Sequence, residues 1–135
     1  MNNNTSPHPG LAGFLHSRYN AFRHAFAGWV YVLRTQRNAW IHAVISVVVF
    51  WVGLWLGLDG HEWAIIVLIT VVVWMAEFIN TAIEAIVDLA SPQHHPLAKV
   101  GKDVGAAAVL IAALAAVIIG LLILGPHLLD KLSWQ

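Results

Sequence analysis

No cysteine occurs in the 135 residues, which excludes disulfides, thiolate metal ligands and cysteine nucleophiles. Charge is nearly as scarce. Asp, Glu, Lys and Arg make up 10% of the chain, where an ordinary soluble domain has about 25%. The formal net charge is zero, so no basic field draws the chain to nucleic acid. The soluble nucleotide motifs are missing too. There is no GxGxxG, and Gly101-Lys102 is followed by Asp103 with no glycine five residues upstream, so there is no P-loop. His61-Glu62 lacks the second histidine of a zinc helix. The first 58 residues contain no carboxylate at all.

What the chain has instead is apolar sequence: 59% of residues are hydrophobic and the mean hydropathy is +0.73. This composition predicts an all-α integral membrane protein of one domain. Trp40 to Leu58, Trp63 to Ala90 and Val104 to Leu124 read as three spans, each near the roughly 20 residues needed to cross a bilayer. Lipid cannot satisfy backbone polar groups, so such runs must be helical. The third is rich in alanine and glycine, which predicts a central packing helix. Three spans bury little surface in one short chain, so further burial by oligomerisation is expected.

Residues 11–37 differ from the spans. Phe14, Phe22, Phe26 and Trp29 alternate with Arg18, Arg23, Arg34 and Arg37, which suggests an amphipathic helix lying in the membrane interface or packed on the bundle. Residues 1–10 are polar, carry no apolar segment and read as a disordered tail. Six of the seven basic residues precede the first span or lie between the second and third. The positive-inside rule therefore places the N-terminus and the second loop in the cytoplasm. Trp29, Trp40, Trp63 and Trp134 read as interfacial anchors, with Trp51, Trp55 and Trp74 deeper.

The seven carboxylates are unevenly spread, and three fall on the second span. Glu77, Asn80, Glu84 and Asp88 follow a spacing of three, four and four residues. At 100° per residue they share a stripe roughly 80° wide. Each ionisable group costs about 2.5–3.5 kcal/mol on membrane-insertion scales. Three acids in line exceed what a polar clamp between helices needs. The stripe therefore suggests a cation or proton site. In the loop that follows, Pro92 should end the second helix and Asp103 can cap the third, with Lys102 and the helix-start N–H groups forming an anion site. Carboxylates for Mg²⁺, a cation for phosphate and a carboxylate to take a hydroxyl proton are what phosphoryl transfer requires.

The run Glu77-Phe78-Ile79-Asn80-Thr81-Ala82-Ile83-Glu84-Ala85-Ile86-Val87-Asp88 resembles the signature of the small prokaryotic diacylglycerol kinase and undecaprenol kinase family. His95-Pro96-Leu97-Ala98-Lys99, Lys102-Asp103, Ala106 to Leu110, Arg37-Asn38 and Ile41-His42 resemble it too, so the likeness runs from about Phe22 to Leu124. It implies a homotrimer of three-span subunits, with active sites shared between subunits, in the inner membrane of a prokaryote. There MgATP would phosphorylate a lipid alcohol, undecaprenol or diacylglycerol, at the cytoplasmic face. Carried over, Glu77 would be the general base, Asn80 its support and Glu84 a Mg²⁺ ligand. Lys102 and Asp103 would contact ATP, and Gln93, His94 and His95 would line the nucleotide. One position departs from the family. Where the family has a metal-holding glutamate in a Thr/Ser-Glu-Arg-Asn stretch, this chain reads Thr35-Gln36-Arg37-Asn38. Gln36 offers a neutral oxygen, a weaker ligand for a hard cation. A non-catalytic lipid- or nucleotide-binding relative is the alternative this departure raises.

Overall fold

The computed structural model describes residues 11–91, 93 and 95–133, apart from the side chain of Ala12. The tail assigned to residues 1–10, and Pro92, His94 and Trp134, lie outside the described residues. The described residues form four helices: α1 (Leu11–Thr35), α2 (Arg37–Leu56), α3 (Gly60–Ala90) and α4 (Pro96–Ser133). The chain divides into two compact units, Met1–Thr35 and Gln36–Gln135.

In the first unit, α1 sets the Arg18 guanidinium over the Phe14 ring, 5.4 Å from its centroid. Arg34 in the last turn faces the negative end of the helix dipole. The helix stops short of the expected residue 37. Gln36 adopts an extended conformation (φ −103°, ψ 117°), and a new helix begins at Arg37. The first span thus starts three residues before Trp40. Gln36 occupies its N-cap position without using its side chain to cap it, so that side chain is left to reach elsewhere.

In the second unit, α2, α3 and α4 are each long and apolar enough to cross a membrane. Gly57 ends α2 in the left-handed region (φ 79°), where an L side chain would be strained, and its N–H returns to Gly53 O. Two residues later Asp59 opens α3 with a capping box. Its carboxylate accepts from the His61 and Glu62 N–H groups, and the Glu62 carboxylate accepts from Asp59 N. A turn this tight makes α2 and α3 antiparallel neighbours.

α3 packs mainly on α4, and α2 packs more lightly on both. The buried apolar residues of this unit are few and mostly of small or medium size: Ala39, Leu58, Ile66, Val73, Val109 and Ala112. Outward-facing Trp51, Leu68, Ile111 and Leu121 are more than half exposed, as suits a surface solvated by lipid tails or covered by other helices. Hydroxyls inside the spans are satisfied locally: Ser46 Oγ donates to His42 O and Thr70 Oγ1 to Ile66 O, both at 2.7 Å. Trp74 faces inward, its Nε1–H donating to Ser46 Oγ at 3.3 Å. At the far end, Lys131 Nζ lies over the Trp55 ring and donates to Trp55 O.

Candidate active site

α3 carries its polar stripe into the interior of the bundle. Glu77 is 1% exposed, and neither carboxylate oxygen has a hydrogen-bond partner. Asn80 and Thr81 are buried beside it. Thr81 is satisfied by donating to Glu77 O at 2.8 Å, so it leaves the Glu77 carboxylate alone.

One turn further along the stripe lies an amide–carboxylate cluster. Asn80 Nδ2 donates to Glu84 Oε1 at 3.0 Å, and Gln36 Nε2 donates to Glu84 Oε2 at 2.9 Å. The second bond joins residues 48 apart in sequence. It forms because Gln36 sits at the break before α2, beside the far end of α3. Asn80 Oδ1 is buried without a partner. It lies so close to Gly105 of α4 that a Cβ there would overlap it. Gly105 is therefore what lets α4 pass this amide.

This cluster fits a hard divalent cation. Its donors are one carboxylate and two side-chain amides, and rotating an amide about its last torsion exchanges N–H for C=O. Mg²⁺ is commonly held by one or two carboxylates with phosphate oxygens rather than by an all-protein cage. No group of three or more His, Asp or Glu side chains capable of holding a metal occurs among the described residues.

Another turn along, a cleft of about 600 Å³ opens between the end of α3 and the start of α4, bordered by Asp88, Ser91, Gln93, His95, Lys99, Lys102 and Asp103. Lys102 Nζ reaches Asp88 Oδ1 across the helices at 2.5 Å. Lys99 Nζ reaches Asp103 Oδ2 along α4 at 3.0 Å. Lys99, Asp103 and Asp88 are more than half exposed and Lys102 is 39% exposed, and ion pairs so open to solvent contribute only about 0–1 kcal/mol. Both ammonium groups can exchange a carboxylate for a phosphate at small cost.

Two expectations are corrected here. Asp103 does not cap α4, and no helix-start N–H groups surround Lys102. The helix starts at Pro96, whose fixed φ and missing N–H suit the first helical position. Lys102 and Asp103 therefore lie well inside it. The His95 ring performs the capping, its Nδ1 accepting from Leu97 N at 3.2 Å. The third span also extends beyond Val104–Leu124 in both directions, because α4 keeps packing along α3 past the apolar run, with Gly101 against Val87.

Of the residues singled out from sequence, Gln36, Glu77, Asn80 and Glu84 come together along one stripe, and Gln93, His95, Lys102 and Asp103 border the adjoining cleft. His94 lies outside the described residues. Sequence reading gave no role to Asp88 toward Lys102 or to Lys99 toward Asp103. The four-residue interval between Lys99 and Asp103 was the available signal for the second pair.

Residues 23–124 match the prokaryotic diacylglycerol kinase family. The chain belongs to this family. It is 44% identical over 111 residues to a diacylglycerol kinase of Synechocystis, covering 82% of this chain and 63% of that one. It thus spans less than two thirds of that relative's length. It is 43% identical over 110 residues to the undecaprenol kinase of Bacillus subtilis, covering 82% of this chain and 89% of the relative. With the diacylglycerol kinase of Escherichia coli it shares 35% identity over 106 residues, 72% of this chain and 85% of the relative. Membership of the family, together with three spanning helices, makes this an integral membrane protein. The matched segment takes in the whole stripe and the cleft beside it.

Proposed function

We propose that the chain is a lipid kinase, transferring the γ-phosphate of ATP to the hydroxyl of a lipid alcohol, undecaprenol or diacylglycerol, at the cytoplasmic face. The observation that carries this reading is the buried, unpartnered Glu77 carboxylate, aligned on one helix face with the Glu84 cluster and the lysine-bearing cleft. A buried carboxylate with both oxygens unpartnered is costly, and a substrate hydroxyl would satisfy one of them.

In this reading Glu77 is the general base. It accepts the proton of the lipid hydroxyl as the oxygen attacks the γ-phosphorus and the bond to the β-phosphate oxygen breaks, releasing ADP. Asn80 orients the reacting groups. Glu84, with the Gln36 and Asn80 carbonyl oxygens, would hold Mg²⁺, which when bound offsets the charge of the phosphates. Lys102 turns from Asp88 to phosphate. Asp103, Gln93 and His95 line the nucleotide, and His94 belongs to the same loop. α1 lies in the interface, with the N-terminus and the α3–α4 loop cytoplasmic in the inner membrane. The protein works as a homotrimer with sites shared between subunits.

The experiment is transfer from labelled ATP in mixed micelles offered diacylglycerol or undecaprenol with Mg²⁺. A labelled lipid phosphate supports the reading and names the preferred alcohol. A second reading, a relative that binds without turnover, is favoured by one observation: the Gln36 amide already occupies a Glu84 oxygen. It predicts no product with any alcohol, and product once Gln36→Glu is introduced.

A further inference from the structure

On α2, opposite Glu77, stands a largely buried imidazole to which neither the family signature nor the proposed mechanism gives a task. His42 Nε2 is 3.9 Å from Glu77 Oε2, and like that carboxylate it lacks a hydrogen-bond partner. Its side chain is 12% exposed. Two orphaned polar groups facing each other in a span are expensive separately and inexpensive together. A rotamer adjustment of under about 1 Å brings them to hydrogen-bond distance.

The ring is also held in place. Trp74, one turn before Phe78 on α3, meets it edge-on with centroids 6.4 Å apart. Ser46 ties the Trp74 indole to the His42 carbonyl. Two cavities flank the ring. The wider one, of about 370 Å³, is walled by Ile45, Val49, Ile69 and Val117 and other apolar residues. A smaller one, of about 220 Å³, joins His42 to Asn80 past Ala106 and Val109 of α4. From α4 no titratable side chain borders either cavity.

We propose that His42 is a positioning residue for Glu77: its Nε2–H holds Oε2 and turns Oε1 toward the substrate hydroxyl. This rests on the kinase reading of the site. A general base needs one oxygen free and a fixed orientation. Glu77 has no bonded donor of its own, and the amide of Asn80, one turn along α3, is turned to Glu84 rather than to Glu77. His42 supplies the missing donor from the opposite helix.

The test compares unsubstituted protein with H42A, H42Q and E77Q, each purified in detergent as the full chain. H42A should lower kcat about 10- to 100-fold, less than the 10²–10⁴-fold that a general base supplies, with KM for lipid and for ATP within about threefold. H42Q places an amide N–H in the same region and should recover much of the loss. Independently of turnover, the ¹⁵N-histidine ring signals of His42, assigned by their absence in H42Q, should move in E77Q and stay in place in D103N. A wild-type kcat in H42A, or His42 signals indifferent to E77Q, overturns the proposal. If H42A fails to fold, H42Q and the ring signals still decide it. Failure of the unsubstituted protein to phosphorylate any lipid overturns the kinase reading and the role with it, whereas unmoved ring signals in an active protein overturn the role alone.

Discussion

Glu77 and Gly105 are the two positions where a change of a few atoms should matter most. If Glu77 is the general base as proposed, Glu77→Gln keeps the volume and removes it, so lipid phosphorylation should fall by about 10²–10⁴-fold with helix content unchanged by circular dichroism. Gly105→Ala acts on the other side of the same site. The new methyl group meets Asn80 Oδ1, and either α4 or the amide must move. Overpacking of this kind costs about 1–3 kcal/mol, so the thermal midpoint in detergent should fall along with the rate. Gln36→Glu sets a second carboxylate against Glu84 in place of a donated N–H. Without a divalent cation the variant should be less stable than the parent. With Mg²⁺ the order should reverse, and the Mg²⁺ concentration giving half-maximal rate should drop. The stripe itself was legible in sequence, since Glu77, Asn80 and Glu84 fall at helical spacing within an apolar run. The bond from Gln36 was not, because nothing local reveals which residue 48 positions away a glutamine will meet. The pairing of His42 with Glu77 follows once that bond is known. In antiparallel helices, moving six residues up α2 from Gln36 and seven back along α3 from Glu84 arrives at the same level.

Helix ends were harder to read than helix bodies. The three apolar runs located the spans, but the helices overrun them wherever a neighbouring helix continues to offer contacts, as α4 does from Pro96 to Asp103. The stop at Thr35 also escaped sequence reading, since no proline or glycine marks it. By contrast the α2–α3 connection is written in its residues: Gly57 for the left-handed turn, Asp59 and Glu62 for the capping box. The Glu62 N–H, foremost among several influences, holds the Asp59 carboxyl below its usual range. A group with a depressed folded-state value adds stability above the ordinary carboxylate range, and that stability is lost as pH falls through the depressed value. Asp59→Ala should therefore lower the thermal midpoint at neutral pH and reduce its loss on acidification, measured from pH 6 downward.

At the scale of the molecule, the small core and the broad apolar exterior agree with a protein whose remaining contacts are with lipid or with other copies of itself. If sites are shared between subunits of a homotrimer, inactive E77Q and K102A chains co-purified in one assembly should regain part of the activity that neither has alone. Sites confined to single chains would give none. The same experiment read by mass in detergent gives the number of subunits.

The length of α4 has a consequence for where the proposed reaction would take place. Its 38 residues amount to about 57 Å at 1.5 Å per residue, nearly twice the roughly 30 Å hydrocarbon slab. With its apolar run centred in that slab, the turns bearing Lys99, Lys102 and Asp103 stand among the lipid headgroups. On the proposed kinase reading the helix would act as a ruler, fixing the height at which a water-borne nucleotide and a membrane-borne alcohol meet. A lipid would then not need to be lifted out of its leaflet to react, because the charged cleft would be held at the depth where its hydroxyl already floats. Bilayer thickness should then tune the rate: lipids with longer chains would sink the cleft, and those with shorter chains would raise it clear of the hydroxyl.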